Sequence, residues 1–113
     1  MARAGDLEVT VDVLPDGAAV VRVQGDVDMA TANILEDALA GVEATPRLVV
    51  DLSSCGFIDS SGVRVLVTTS RRVRDEGVDI AVVAHEQATL RVLEIAALDT
   101  FVTVHPTLES ALS

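Results

Sequence analysis

Phe-Ile-Asp-Ser-Ser-Gly, residues 57–62, sets a carboxylate beside two adjacent hydroxyls and a glycine, directly after the apolar run RLVVDLSSCG. Such a set serves three kinds of chemistry: a helix cap, a catalytic serine, or a hydroxyl that accepts a modifying group. A catalytic serine needs a general base held by a third group. The only histidines are His85 and His105, both expected in surface positions after strands, and the spacing Ile-Asp-Ser-Ser-Gly is not the G-x-S-x-G elbow. Hydrolysis is therefore the weakest of the three. Capping by Asp59 or Ser60 is compatible with either of the others and discriminates nothing. No glycine-rich phosphate loop and no metal-ligand spacing of His, Cys and Asp is present. Cys55, the lone cysteine, cannot form an internal disulfide and reads as a small buried hydrophobe in a reducing, cytoplasmic setting.

The elements that must position this stretch follow from hydrophobic period. Leu7, Val9, Val11 and Val13 alternate with Glu8, Thr10 and Asp12, the period of a half-buried strand. Pro15 and Gly17 supply a turn, and AVVRVQG returns as the second strand of a hairpin. From about Met29 to Glu43 the period becomes helical, with Ile34, Leu35, Ala38, Leu39 and Val42 on one face and Asp28 as candidate N-cap. Pro46 closes that helix. RLVVDLS is too short for a helix and predicts a buried central strand, placing residues 57–62 in the loop that leaves its carboxyl end. A second helix over 62–77, a strand in VDIAVVA, a third helix in EQATLRVLEIAAL, a strand in DTFVTV and a short helix in PTLESAL complete the chain. The expected fold is α/β: one domain over residues 1–113 in the order ββαβαβαβα, a mixed, mostly parallel sheet of about five strands, and a disordered tail over residues 1–5.

Charge limits the partners. Eighteen acidic and eight basic residues give a formal charge of -10, which opposes approach to nucleic acid or to an anionic membrane surface. Charged residues interrupt every apolar stretch before the roughly 18 positions that a spanning helix needs. Without an obvious exposed apolar stripe, the domain is expected to be monomeric. Arg64, Arg71, Arg72 and Arg74 cluster on the outer face of the second helix, a solvated face whose first turn, at Arg64, adjoins Ser60. Asp28 reads equally as a helix cap and as a partner contact, Asp26 adds to the acidity of the same edge, and Ser53, Ser54 and Thr31 read by themselves as loop and cap groups.

Three segments in this order resemble the STAS domain, and within it the bacterial anti-anti-sigma factors (anti-sigma factor antagonists). GDVDMATA is similar to the family's G-E-L-D-x-x-T-A, with Asp26 one methylene shorter than the usual Glu. VVDLSSCGFIDSSGVRVL is similar to its D-L-S-x-x-x-F-x-D-S-S/T-G core, and LRVLEIAALDTFVTVHPTLESAL to its closing helix, strand and helix. The resemblance implies that this chain is a substrate and binding module rather than an enzyme. It maps the phosphoacceptor onto Ser60, with Ser61 as runner-up, and partner contacts onto Asp26, Asp28, Thr31, Asp59, Ser60, Ser61 and Gly62; Arg64 joins them because its turn adjoins Ser60. The implied partners are an anti-sigma factor serine kinase, which supplies ATP and Mg²⁺ so that this chain needs no cofactor or metal, and a PP2C-like phosphatase. A STAS scaffold or transport-system subunit without a phosphoswitch is the alternative, which the intact Asp-Ser-Ser-Gly disfavours.

Overall fold

The computed structural model describes residues 7–100 and 102–113; the expected tail over residues 1–5 and the Phe101 portion of the fifth strand lie outside them. A hairpin opens the chain, β1 (Glu8–Val13) pairing antiparallel with β2 (Ala19–Val27). Gly17, at φ +92, takes the left-handed conformation that the turn demands. Then α1 (Ala32–Ala40), β3 (Arg47–Ile58), α2 (Ser60–Asp75), β4 (Asp79–Val83), α3 (Gln87–Ile95), a 3₁₀ turn at Leu98–Thr100, β5 (Thr103–His105) and α4 (Leu108–Leu112) follow.

The five strands lie in chain order, β1-β2-β3-β4-β5, and every pair after the first is parallel. Successive right-handed crossovers that all step in one direction place their helices on one face. The two cores agree with this. Leu35 and Leu39 of α1, Val63, Leu66 and Val73 of α2 and Leu93 of α3 pack with Val21, Val50 and Val82, whereas the alternate strand residues Val20, Val49, Ala81 and Val83 meet Ala111 of α4 on the opposite face. Each large aliphatic side chain so buried contributes roughly 1.5–3 kcal/mol.

Several boundaries differ from the expectation: α2 runs from Ser60 to Asp75 rather than over 62–77, α3 ends at Ile95 rather than Leu98, and Asp99 and Thr100, expected in the fifth strand, belong to the 3₁₀ turn. Helix α1 begins at Ala32 rather than near Met29, because residues 28–31 form a separate turn: the Asp28 carboxylate accepts from the Ala30 and Thr31 N–H groups at 2.9 and 3.2 Å. Asp28 thus caps that turn, and Thr31 stands at the N-cap of the helix proper without a side-chain cap bond. Strand β3 runs on to Ile58, well past the apolar run. Its last part pairs with β2 alone, through register shifts around Gly25 (φ +114) that restore Asp26↔Phe57 and Val27↔Ile58. Polar Ser53 and Ser54 hide this extension from any count of apolar residues. His105 is the final residue of β5 and half-buried rather than in a loop, its ring bonded to Ser110 Oγ at 2.8 Å.

Candidate functional site

Because β3 ends at Ile58 and α2 starts at Ser60, one residue, Asp59, makes the whole strand-to-helix connection. Its extended backbone and its carboxylate do the capping: Asp59 Oδ1 accepts from Ser61 N–H at 2.8 Å and from Gly62 N–H at 3.4 Å, satisfying first-turn donors. The Asp59 N–H in turn donates to the Val27 carbonyl at 3.1 Å, clamping the connection to the end of β2. Gly62 makes the tight docking possible. A Cβ there would lie 2.6 Å from both Ile58 Cγ1 and Val27 Cγ1.

Ser60 is left over. It is the first residue of α2, exposed, and its hydroxyl has no hydrogen-bond partner among the described residues; Ser61 beside it is half-buried. The cap ambiguity thus resolves to Asp59, and Ser60 is spared. Arg64, one turn further along α2, is also exposed.

The neighbouring strand end brings the acidic groups in. Asp26 is exposed, pairs with Phe57 across the β2–β3 ladder, and its Oδ1 lies where a Cβ on Gly56 would be 3.1 Å away. Thr31, fully buried, donates from Oγ1 to the Asp26 carbonyl at 2.9 Å and accepts from the Asp28 N–H at 2.9 Å, so it fastens the turn that presents both carboxylates. Asp26, Asp28, Thr31, Asp59, Ser60, Ser61 and Gly62 therefore converge at one end of the β2–β3 pair. Cys55 is buried beneath this edge; burial, and to a smaller degree the Asp26 charge, pushes its thiol pKa up, which disfavours a reactive thiolate.

Two groups received no role from sequence reasoning. Phe57 is 51 % exposed and Met29 is 86 % exposed, apolar side chains on the acidic edge where the fold gains little from them. The signal for Phe57 was period: it alternates with buried Ile58 on a strand read as a loop. His85, which follows β4, meets only its neighbour Glu86 among the described residues, at 3.9 Å, and His105 belongs to the α4 side; neither is bonded to Ser60. Among the described residues no group of His, Cys, Asp and Glu could hold a metal ion, and no helix is long and apolar enough to cross a membrane.

Comparison with known proteins places this geometry among relatives. Residues 10–111 match the STAS domain model. The chain is 33 % identical over 102 residues to the anti-sigma-F factor antagonist RsfA of Mycobacterium tuberculosis, covering 87 % of this chain and 80 % of that protein. It is 35 % identical over 108 residues to RsfB of the same organism, another anti-sigma-F factor antagonist, covering 93 % and 88 % respectively. A solved anti-sigma factor antagonist from Mycobacterium paratuberculosis superposes with a TM-score of 0.89 at 35 % identity, across 99 % of this chain and 96 % of that one.

Proposed function

Since the chain belongs to the STAS domain family, we propose that it is a cytoplasmic anti-sigma factor antagonist controlled by phosphorylation of Ser60. The unphosphorylated form binds an anti-sigma factor that is also a serine kinase, and so frees a sigma factor. Transfer of a phosphoryl group to Ser60 ends the capture, and a PP2C-like phosphatase restores it. ATP, Mg²⁺ and the catalytic base belong to the partner, and this chain contributes the acceptor and the docking edge.

The observation that carries this reading is the division of labour at the head of α2. Asp59 caps the helix while the Ser60 hydroxyl stays exposed and unengaged, so a kinase can reach it and its modification breaks no internal bond. Phosphoserine adds about -1.5 to -2 charges at neutral pH, at a helix end whose partial positive charge tolerates them. The fold should survive; the interface should not. Facing a partner carboxylate at about 4–6 Å, each added charge costs roughly 1–4 kcal/mol, and about 1.4 kcal/mol is a tenfold loss of affinity. Phe57 and Met29 supply apolar contact area within the acidic rim, the mixture that interface centres favour.

Affinity capture from native lysate tests it, with wild type, Ser60→Ala and Ser60→Asp as baits. An ATP-binding anti-sigma factor kinase retained by the first two and lost on the third is the expected result. Identical recoveries on all three, or no such kinase on any, would remove the phosphoswitch.

A further inference from the structure

Arg64 lies four residues after Ser60 on α2. Residues so spaced are neighbours on adjacent helical turns, with Cβ atoms about 5–6 Å apart. Helical side chains lean toward the N-terminus, so a long side chain at position 64 covers the turn that begins with Ser60. Four other guanidiniums have partners: Arg22 meets Asp12, Arg47 donates to the Leu112 carbonyl, Arg72 meets Glu76 and the Leu39 carbonyl, and Arg71 is also engaged; Arg74 and Arg91 have no partner among the described residues, but only Arg64 lies one turn from Ser60. Arg64 is exposed and has no hydrogen bond or ion pair with any described residue, despite the chain's excess of carboxylates. Its planar fork of donors matches phosphate oxygens.

From this spacing we infer that Arg64 is an intramolecular latch for a phosphate on Ser60. The inference rests on the reading of Ser60 as phosphoacceptor and adds to it how the modified state is held. The latch has work to do because the surroundings are acidic. Asp59 precedes the phosphate and Asp26 and Asp28 stand at the neighbouring end of β2; on the surrounding elements, Glu36 and Asp37 are exposed on α1, and exposed His85 and Glu86 follow β4. The carboxylates disfavour the dianion and raise the second phosphate pKa above its usual value of about 6; an adjacent guanidinium favours the dianion and lowers it. Pairing also removes an exposed cation from the docking edge as the anion arrives. One modification thereby changes two charges that a partner meets.

The test installs phosphoserine at position 60 by genetic encoding, so that no kinase is needed, and follows its ³¹P resonance against pH in wild type, Arg64→Ala and Arg64→Lys. At low salt the second pKa of the wild type should lie below that of Arg64→Ala by about half a unit, the size expected for one unit charge at about 5 Å in water. Arg64→Lys should recover most of the difference, and added salt should shrink it. Equal values in wild type and Arg64→Ala, or a lower value in Arg64→Ala, overturn the latch. Thermal unfolding of the three proteins checks that this exposed position leaves the fold intact. Failure here leaves the partner switch standing. Conversely, if no kinase uses Ser60 in lysate, the coupling between phosphate and guanidinium is still measured.

Discussion

Asp59 and Ser60 are adjacent polar residues with separate tasks, and substitution should separate them cleanly. Asp59→Ala removes the acceptor of two first-turn N–H groups and should cost about 1 kcal/mol, lowering the thermal midpoint by about 4 °C for a domain of this size. Ser60→Ala breaks no bond and should leave the midpoint within the error of calorimetry. A midpoint that falls as far in Ser60→Ala as in Asp59→Ala would mean that the serine holds the helix as much as the aspartate does. Cys55 makes a prediction in pH. Its folded pKa is raised by burial, so above the ordinary thiol value of about 8.5 the unfolded chain loses a proton that the folded one keeps. The unfolded state then binds fewer protons, and stability falls as pH rises from that value until the folded thiol ionises too. Chemical denaturation of wild type and Cys55→Ala between pH 7.5 and about 10 reads this as a steeper decline in the wild type.

At the scale of elements, the site depends on how closely the head of α2 meets the ends of β2 and β3. Gly62→Ala would force a methyl against Ile58 and Val27 and should destabilise by about 1–3 kcal/mol, the usual cost of overpacking. It should also weaken partner capture, since the Ser60 turn must move. Thr31→Val leaves the Asp28 N–H and the Asp26 carbonyl without their shared hydroxyl. The expected cost is about 1–3 kcal/mol, with enhanced hydrogen exchange confined to residues 26–32. Phe57→Ser is the counterpart that should separate folding from binding. Half-exposed, it should change stability by no more than about 0.5 kcal/mol while reducing retention of the partner on the affinity matrix; unchanged retention would exclude Phe57 from the interface.

Across the whole molecule, the two cores divide stability from function. Helices α1 to α3 and the face they cover hold the sheet together, α4 closes the other face through Ala111, and Arg47 ties the end of α4 to β3 by its 2.9 Å bond to the Leu112 carbonyl. The carboxyl ends of β2 and β3 are left to carry the acidic edge. With a net charge of -10, encounter with a partner whose surface is basic around the carboxylate that faces Ser60 should be electrostatically steered. The association rate should therefore fall about tenfold or more between low and roughly 0.5 M salt, with a much smaller change in dissociation. Stopped-flow mixing with the partner that affinity capture recovers measures this, and a salt-independent rate would show that charge is not what brings the two together.

Element types were legible in the chain because period and turn chemistry are local: alternation in β1, the helical spacing of Ile34, Leu35 and Leu39, and Gly17 and Gly77 at positive φ. The three segments that resemble a known family located the site for the same reason, since each is contiguous. Neighbourhood in space was not legible. No local pattern states that β2 and β3 lie side by side with bulges that carry Asp26 to Phe57, or that Gly62 touches Val27 across a gap of thirty-five positions. Nor could the sequence choose between Asp59 and Ser60 as the cap, because both residue types cap helices well. The choice was made by the one-residue connection: once β3 extends to Ile58, the only position with extended backbone left before α2 is 59. Tertiary packing therefore decided which of two adjacent groups serves the fold and which is free for chemistry.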